Sequence, residues 1–94
     1  MTTEQIREIE DHLSNEIPEA VFIGEPDKRH LYFPAICGVD PNGERIVYDR
    51  DKLVECLARE MNSTIAEAEE WVEFNVVRSL KHTGDHAPVI METL

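Results

Sequence analysis

Apolar positions along this chain fall into two kinds of pattern, helical stripes and short extended runs, separated by proline, glycine and asparagine. Ile6, Ile9, Leu13 and Ile17 recur at spacings of three and four, which predicts an amphipathic helix with one narrow buried stripe. Thr2 with Gln5 three residues later fits a capping box at its start, and Pro18 ends the periodicity. Ala20 to Gly24, rich in β-branched and aromatic residues, predicts a short strand before the turn-like Gly24-Glu25-Pro26-Asp27. Leu31 to Val39 predicts a second strand, and Pro34, lacking an amide hydrogen, puts it at a sheet edge or gives it a bulge. Asp40-Pro41-Asn42-Gly43 places each residue where a type I turn prefers it, with Gly43 free to take a positive φ, and closes a hairpin onto Arg45 to Tyr48.

Asp49 then caps a second helix whose Leu53, Val54, Leu57, Ala58 and Met61 form the apolar face, with Lys52, Glu55 and Arg59 on the wet one. Asn62 and Ser63 interrupt it, and Thr64 with Glu67 makes another capping box, starting a third helix that runs to about Leu80. At about 100° per residue, Ile65, Ala68, Val72 and Val76 share one face of that helix. Phe74 points nearly opposite, and Trp71 and Val77 fall between, so the helix is apolar around much of its circumference. Ala87 to Met91 reads as a short strand or extended tail adding to the sheet edge. The expectation is one α+β domain spanning 1-94, two layers with an antiparallel β meander packed on helices, in the order αβββααβ.

With 94 residues, a single core must supply all the stabilisation. An apolar fraction of 41% with 31% charged residues suits a folded domain. Twenty acidic against nine basic side chains give a net charge of −11, which repels nucleic-acid phosphates and anionic lipid. Direct nucleic-acid binding would need a basic patch, and the best candidate, Lys28, Arg29 and His30, is three residues long. No basic region followed by an apolar run opens the chain, and no apolar stretch nears the ~18 residues that span a bilayer, so the expectation is a cytoplasmic protein without a membrane anchor. Cys37 and Cys56 lie too far apart for a Cys-x-x-Cys site and both sit in apolar runs, where a thiol acts as a small hydrophobe; both are expected reduced and in the core.

Candidate chemistry is sparse. His82, Asp85 and His86 are the nearest approach to a zinc set, but Gly84 interrupts them and a fourth ligand must come from elsewhere, so no metal and no cofactor are expected. No histidine neighbours either cysteine in sequence as a base, and Gly24, Gly38, Gly43 and Gly84 are scattered singly, which excludes a phosphate-binding loop motif. Glu67, Glu69, Glu70 and Glu73 cluster on the third helix, where such a run reads as a solvated face. Asn75 borders the apolar stripe, where a buried amide must find partners.

The segment Val47-Tyr48-Asp49-Arg50-Asp51-Lys52 with Glu55, then Ala68-Glu69 with Trp71, Glu73, Phe74, Asn75 and Val76, and finally Ala87-Pro88-Val89-Ile90, resembles a group of short uncharacterised phage and prophage proteins. It departs from that pattern at Arg78 and Ser79, where a small residue is expected soon after Val76, and at Cys56, whose counterpart is expected nearer the start of the second helix. The resemblance implies an origin in a virus or mobile element and carries over no activity.

These features converge on a non-catalytic binding protein, with Trp71, Phe74 and Val77 as the apolar contact and Glu67, Glu70 and Glu73 among the carboxylates of an acidic rim. The expected partner is a protein, including a basic nucleic-acid-binding complex, or a second copy in a homodimer. One alternative is an anti-defence inhibitor of the anti-CRISPR or anti-restriction type that mimics nucleic-acid charge. The contrasting class is a small metal- or thiol-dependent enzyme built on Cys37, Cys56 or the pair His82 and His86.

Overall fold

The computed structural model describes residues 2–24, 27–77 and 84–92. Helix α1 runs Thr3–Glu16 behind the expected capping box: the Gln5 amide donates to Thr2 Oγ1 at 3.2 Å and the Thr2 amide donates to Gln5 Oε1 at 3.0 Å. It buries Leu13, and Ile17, just past its end, is buried too.

Ala20 to Gly24 is not a strand. Its amides bond away from any ladder, Val21 to the His86 carbonyl at 3.2 Å and Ile23 to the Tyr48 hydroxyl at 3.1 Å. The β-branched composition reflects half-buried packing rather than strand pairing. The expected strand from Leu31 to Val39 is split. Arg29–Ala35 forms a 3-10 helix that buries Tyr32, Phe33 and Ala35, and strand β1 begins only at Ile36 and ends at Asp40. Pro34, unable to donate to a ladder, fits the short helix with its fixed φ. The irregularity expected at Pro34 falls at Cys37, where the register jumps from Ile36↔Tyr48 to Gly38↔Val47.

The turn forms with its positive φ at Glu44 (50°) instead of Gly43. Gly43 makes a close approach instead: a Cβ there would lie 2.8 Å from Asp40 Oδ2 and would displace the carboxylate whose Oδ1 accepts from the Asn42 and Gly43 amides. Strand β2, Arg45–Asp49, pairs antiparallel with β1. Strand β3, Val89–Met91, pairs parallel with β2, so the three-stranded sheet is mixed, in the order β1-β2-β3, and not an antiparallel meander.

Helix α2, Arg50–Met61, starts at Asp49, whose Oδ1 accepts from the Lys52 amide at 3.1 Å, and stops where Asn62 turns left-handed (φ 52°). It buries Leu53, Val54, Cys56, Leu57 and Ala58, while Met61, expected on that face, is exposed. Helix α3, Ile65–Trp71, is capped by Thr64, whose Oγ1 accepts from the Glu67 amide, although the Glu67 carboxylate accepts from the Thr64 hydroxyl and not from its amide as in a full capping box; the helix continues as a π-helical segment, Val72–Val77, in place of the expected plain α-helix. Ala68, Val72 and Val76 are buried as their spacing predicts; Ile65, in the first turn, is half exposed. The expected extension to Leu80 lies outside the described residues.

The protein is thus an α+β fold in which α2 packs against the 3-10 helix, α3 and β2. Tyr48, Ile17, Ile46, Leu53, Leu57 and Val72 are the largest fully buried side chains. Among the described residues no helix is long and apolar enough to cross a membrane.

Candidate functional site

Two stripes run along α3. Ala68, Val72 and Val76 face the core, whereas Glu67, Glu70, Trp71 and Phe74, at relative positions 0, 3, 4 and 7, form a second stripe on the exposed side. Trp71 is 39% and Phe74 50% exposed, and Met61 from the end of α2 joins them at 40%. Met61, Glu67, Glu70, Trp71, Phe74 and Asn75 line a shallow depression of about 330 Å³. Beyond Trp71 and Asn75 lies a smaller cleft of about 190 Å³, reaching Ile23, Tyr32, Leu57 and Pro88. Trp71 is therefore a ridge between two hollows.

The helix changes form beneath this face. In a π-helix the ladder runs from residue i to i+5, which widens the turn and displaces the residues after it. Asn75, expected as a buried amide beside the stripe, is exposed, and its Nδ2 donates to the Trp71 carbonyl four residues back at 3.2 Å. That bond supports the wider turn and holds the backbone under the tryptophan.

Of the residues expected at a partner surface, Trp71, Phe74, Glu67 and Glu70 come together around the depression. Glu73 is exposed and does not line it. Val77 closes the π-helical segment, and its side chain lies outside the described residues. Met61 was missed, because helical spacing alone places it with the core face of α2; it is the last residue of that helix, beside the left-handed Asn62, and lines the depression with side chains of α3.

Among the described residues, the charged side chains that line this face, Glu67 and Glu70, are acidic. The ion pairs seen among the described residues, Arg29 with Glu10 at 3.2 Å and Arg50 with Glu92 at 3.7 Å, lie elsewhere. The candidate basic patch is structural at its centre: the Arg29 guanidinium lies 4.4 Å from the Phe22 ring centroid while holding Glu10 of α1.

Thiol chemistry finds little support in the geometry. Cys37 is exposed, not in the core, because the bulge turns it out of the alternation, and its thiol donates to the Val47 carbonyl at 3.6 Å. Cys56 is buried, and burial pushes its thiol pKa up, with nearby Arg59 opposing. His86 bonds through Nδ1 to the Gly43 carbonyl at 3.0 Å, clipping its loop onto the β1–β2 turn. Asp85 is exposed, and His82 lies outside the described residues; among the described residues no group of three His, Cys, Asp or Glu side chains is arranged to hold a metal.

Compared with known proteins, the chain matches no family model, no curated protein and no solved structure.

Proposed function

We propose that this protein is a non-catalytic binding module that docks a basic protein partner on the exposed face of α3. The observation that carries this reading is the grouping of Met61, Trp71 and Phe74 around one depression with Glu67 and Glu70 beside them. Aromatic and methionine side chains with a charged border have the composition of a protein interface, and a tryptophan ridge is a frequent energetic centre. The net charge of −11 favours a basic partner over a second copy, since two such faces bring like charges together. The sequence resemblance to short phage and prophage proteins is compatible with a partner in a host cell.

Affinity capture with the wild-type chain and with Phe74→Glu and Trp71→Ala variants tests the proposal, each variant first shown to be folded by circular dichroism. A partner held by the wild type at low salt, released at high salt and lost from both variants supports it. Retention of that partner by both variants moves the binding surface elsewhere. Sedimentation of the wild type as a stable dimer that Phe74→Glu splits into folded monomers replaces the basic partner with a second copy.

A further inference from the structure

A second surface lies on the far side of the sheet order from β3. Strand β1 is an edge: β2 pairs with one side, and among the described residues no strand pairs with the other. The bulge at Cys37 changes which side chains face inward. With Ile36 opposite Tyr48 and Val39 opposite Ile46, both residues point to the buried side of the sheet although they are three apart. Ile46 and Tyr48 are fully buried, yet Val39 is 37% exposed, so the helical layer does not cover it.

The uncovered space is an open cleft of about 420 Å³ between α1 and β1. Ile9 and Leu13 form its helical wall, Ile36 and Val39 its floor and Phe33 its end, with Glu8 and His12 on the lip. An edge strand beside a helix, with an apolar trough between, is the geometry by which an extended peptide adds to a sheet: its backbone pairs with the strand and alternate side chains enter the trough. Edge strands are commonly protected by lysine, proline, an inward charge or a bulge. The five residues Ile36–Asp40 carry no lysine or proline, their single charge is Asp40 at the far end, and past the bulge at Cys37 the stretch Gly38 to Asp40 returns to regular register.

We propose that this cleft binds an extended, basic segment of a partner protein by strand addition to β1, with aliphatic side chains seated against Ile36 and Val39 and lysine or arginine facing α1. Charge complementarity selects that occupant. The exposed side of α1 carries Glu4, Glu8 and Asp11 against Arg7, with Glu8 beside His12 at the cleft itself, and the whole chain is at −11, which opposes pairing of β1 with the same strand of a second copy.

The probe is a synthetic peptide of alternating lysine and valine, titrated into the isotopically labelled protein while amide chemical shifts are followed. Saturable shifts concentrated at Ile36–Asp40 and at Ile9–Leu13 are expected. Affinity falls at least about tenfold when alternate peptide amides are N-methylated, which removes strand pairing and keeps the charge. A Val39→Lys variant weakens binding similarly, a glutamate–valine peptide does not bind, and Trp71→Ala binds as the wild type does, which separates this surface from the α3 face. Equal binding of the N-methylated peptide, shifts spread over the acidic surface, shifts centred on Trp71 and Phe74, or the absence of saturable binding each overturns the proposal, as does a dimer that already covers β1.

Discussion

Tyr48 joins the centre of the core to the segment that crosses it, because its hydroxyl accepts the Ile23 amide hydrogen that no strand takes up. Replacing it with phenylalanine leaves that amide unpaired and is expected to cost about 1–2 kcal/mol in urea denaturation at neutral pH. Burial also pushes the Tyr48 pKa from its ordinary 10.0 up to about 12, the Ile23 amide and Arg29 partly opposing. The folded state therefore holds that proton where the unfolded state releases it. The contribution is fully present below about pH 10 and is lost as pH rises toward 12, on the order of 2–3 kcal/mol in all. Tyr32, raised by burial and by its hydrogen bond to the Glu60 carboxylate, acts in the same direction. Denaturation midpoints from pH 9 upward are expected to fall more steeply for the wild type than for Tyr48→Phe. The cysteines separate by the same logic: alkylation of the native protein, followed by mass spectrometry, is expected to modify exposed Cys37 rapidly and Cys56 only on unfolding. This difference was not legible beforehand. Both cysteines sit in apolar runs, and the bulge that turns Cys37 out arises from chain pairing.

The helices were the most legible elements. Their caps are local contacts between residues three apart, so Thr2 with Gln5, Asp49 and Thr64 could be read directly, and all of them form. Asp49→Ala is expected to cost about 1 kcal/mol, measurable as a lower thermal midpoint. The two faces of α3 give a sharper contrast. Val72→Asp places an unpaired charge in the core and is expected to cost about 4 kcal/mol or more, enough to unfold a small domain. Phe74→Asp, two positions on but half exposed, is expected to stay folded within about 1 kcal/mol of the wild type by circular dichroism. The strands were harder to read, since a run of β-branched and aromatic residues also serves a half-buried crossing segment or a short 3-10 helix. Ala20–Gly24 and Arg29–Ala35 took those forms because their backbone groups found partners other than a neighbouring strand.

For the molecule as a whole, a charge of −11 on a small surface stores repulsion that salt relieves. The urea midpoint is expected to rise from low to physiological ionic strength, whereas attraction to a basic partner weakens over the same range. Opposite slopes in the two titrations distinguish self-repulsion from recognition. The α3 face and the α1–β1 cleft are separated in the fold, one built on a helix exterior and the other on a sheet edge, so substitutions in one leave the other available for measurement.

By itself the sequence determined what depends on near neighbours and on totals: the capped helices, the turn at Asp40 to Gly43, the buried stripe through Ala68, Val72 and Val76, the α+β class and the acidic charge. Aromatic residues off that stripe also pointed to Trp71 and Phe74. Tertiary structure alone decided that β3 runs parallel to β2, that Met61 joins the aromatic face, and that the bulge at Cys37 turns Val39 toward an open cleft. These outcomes depend on which distant segment supplies the partner for each backbone group, and local spacing does not contain that information.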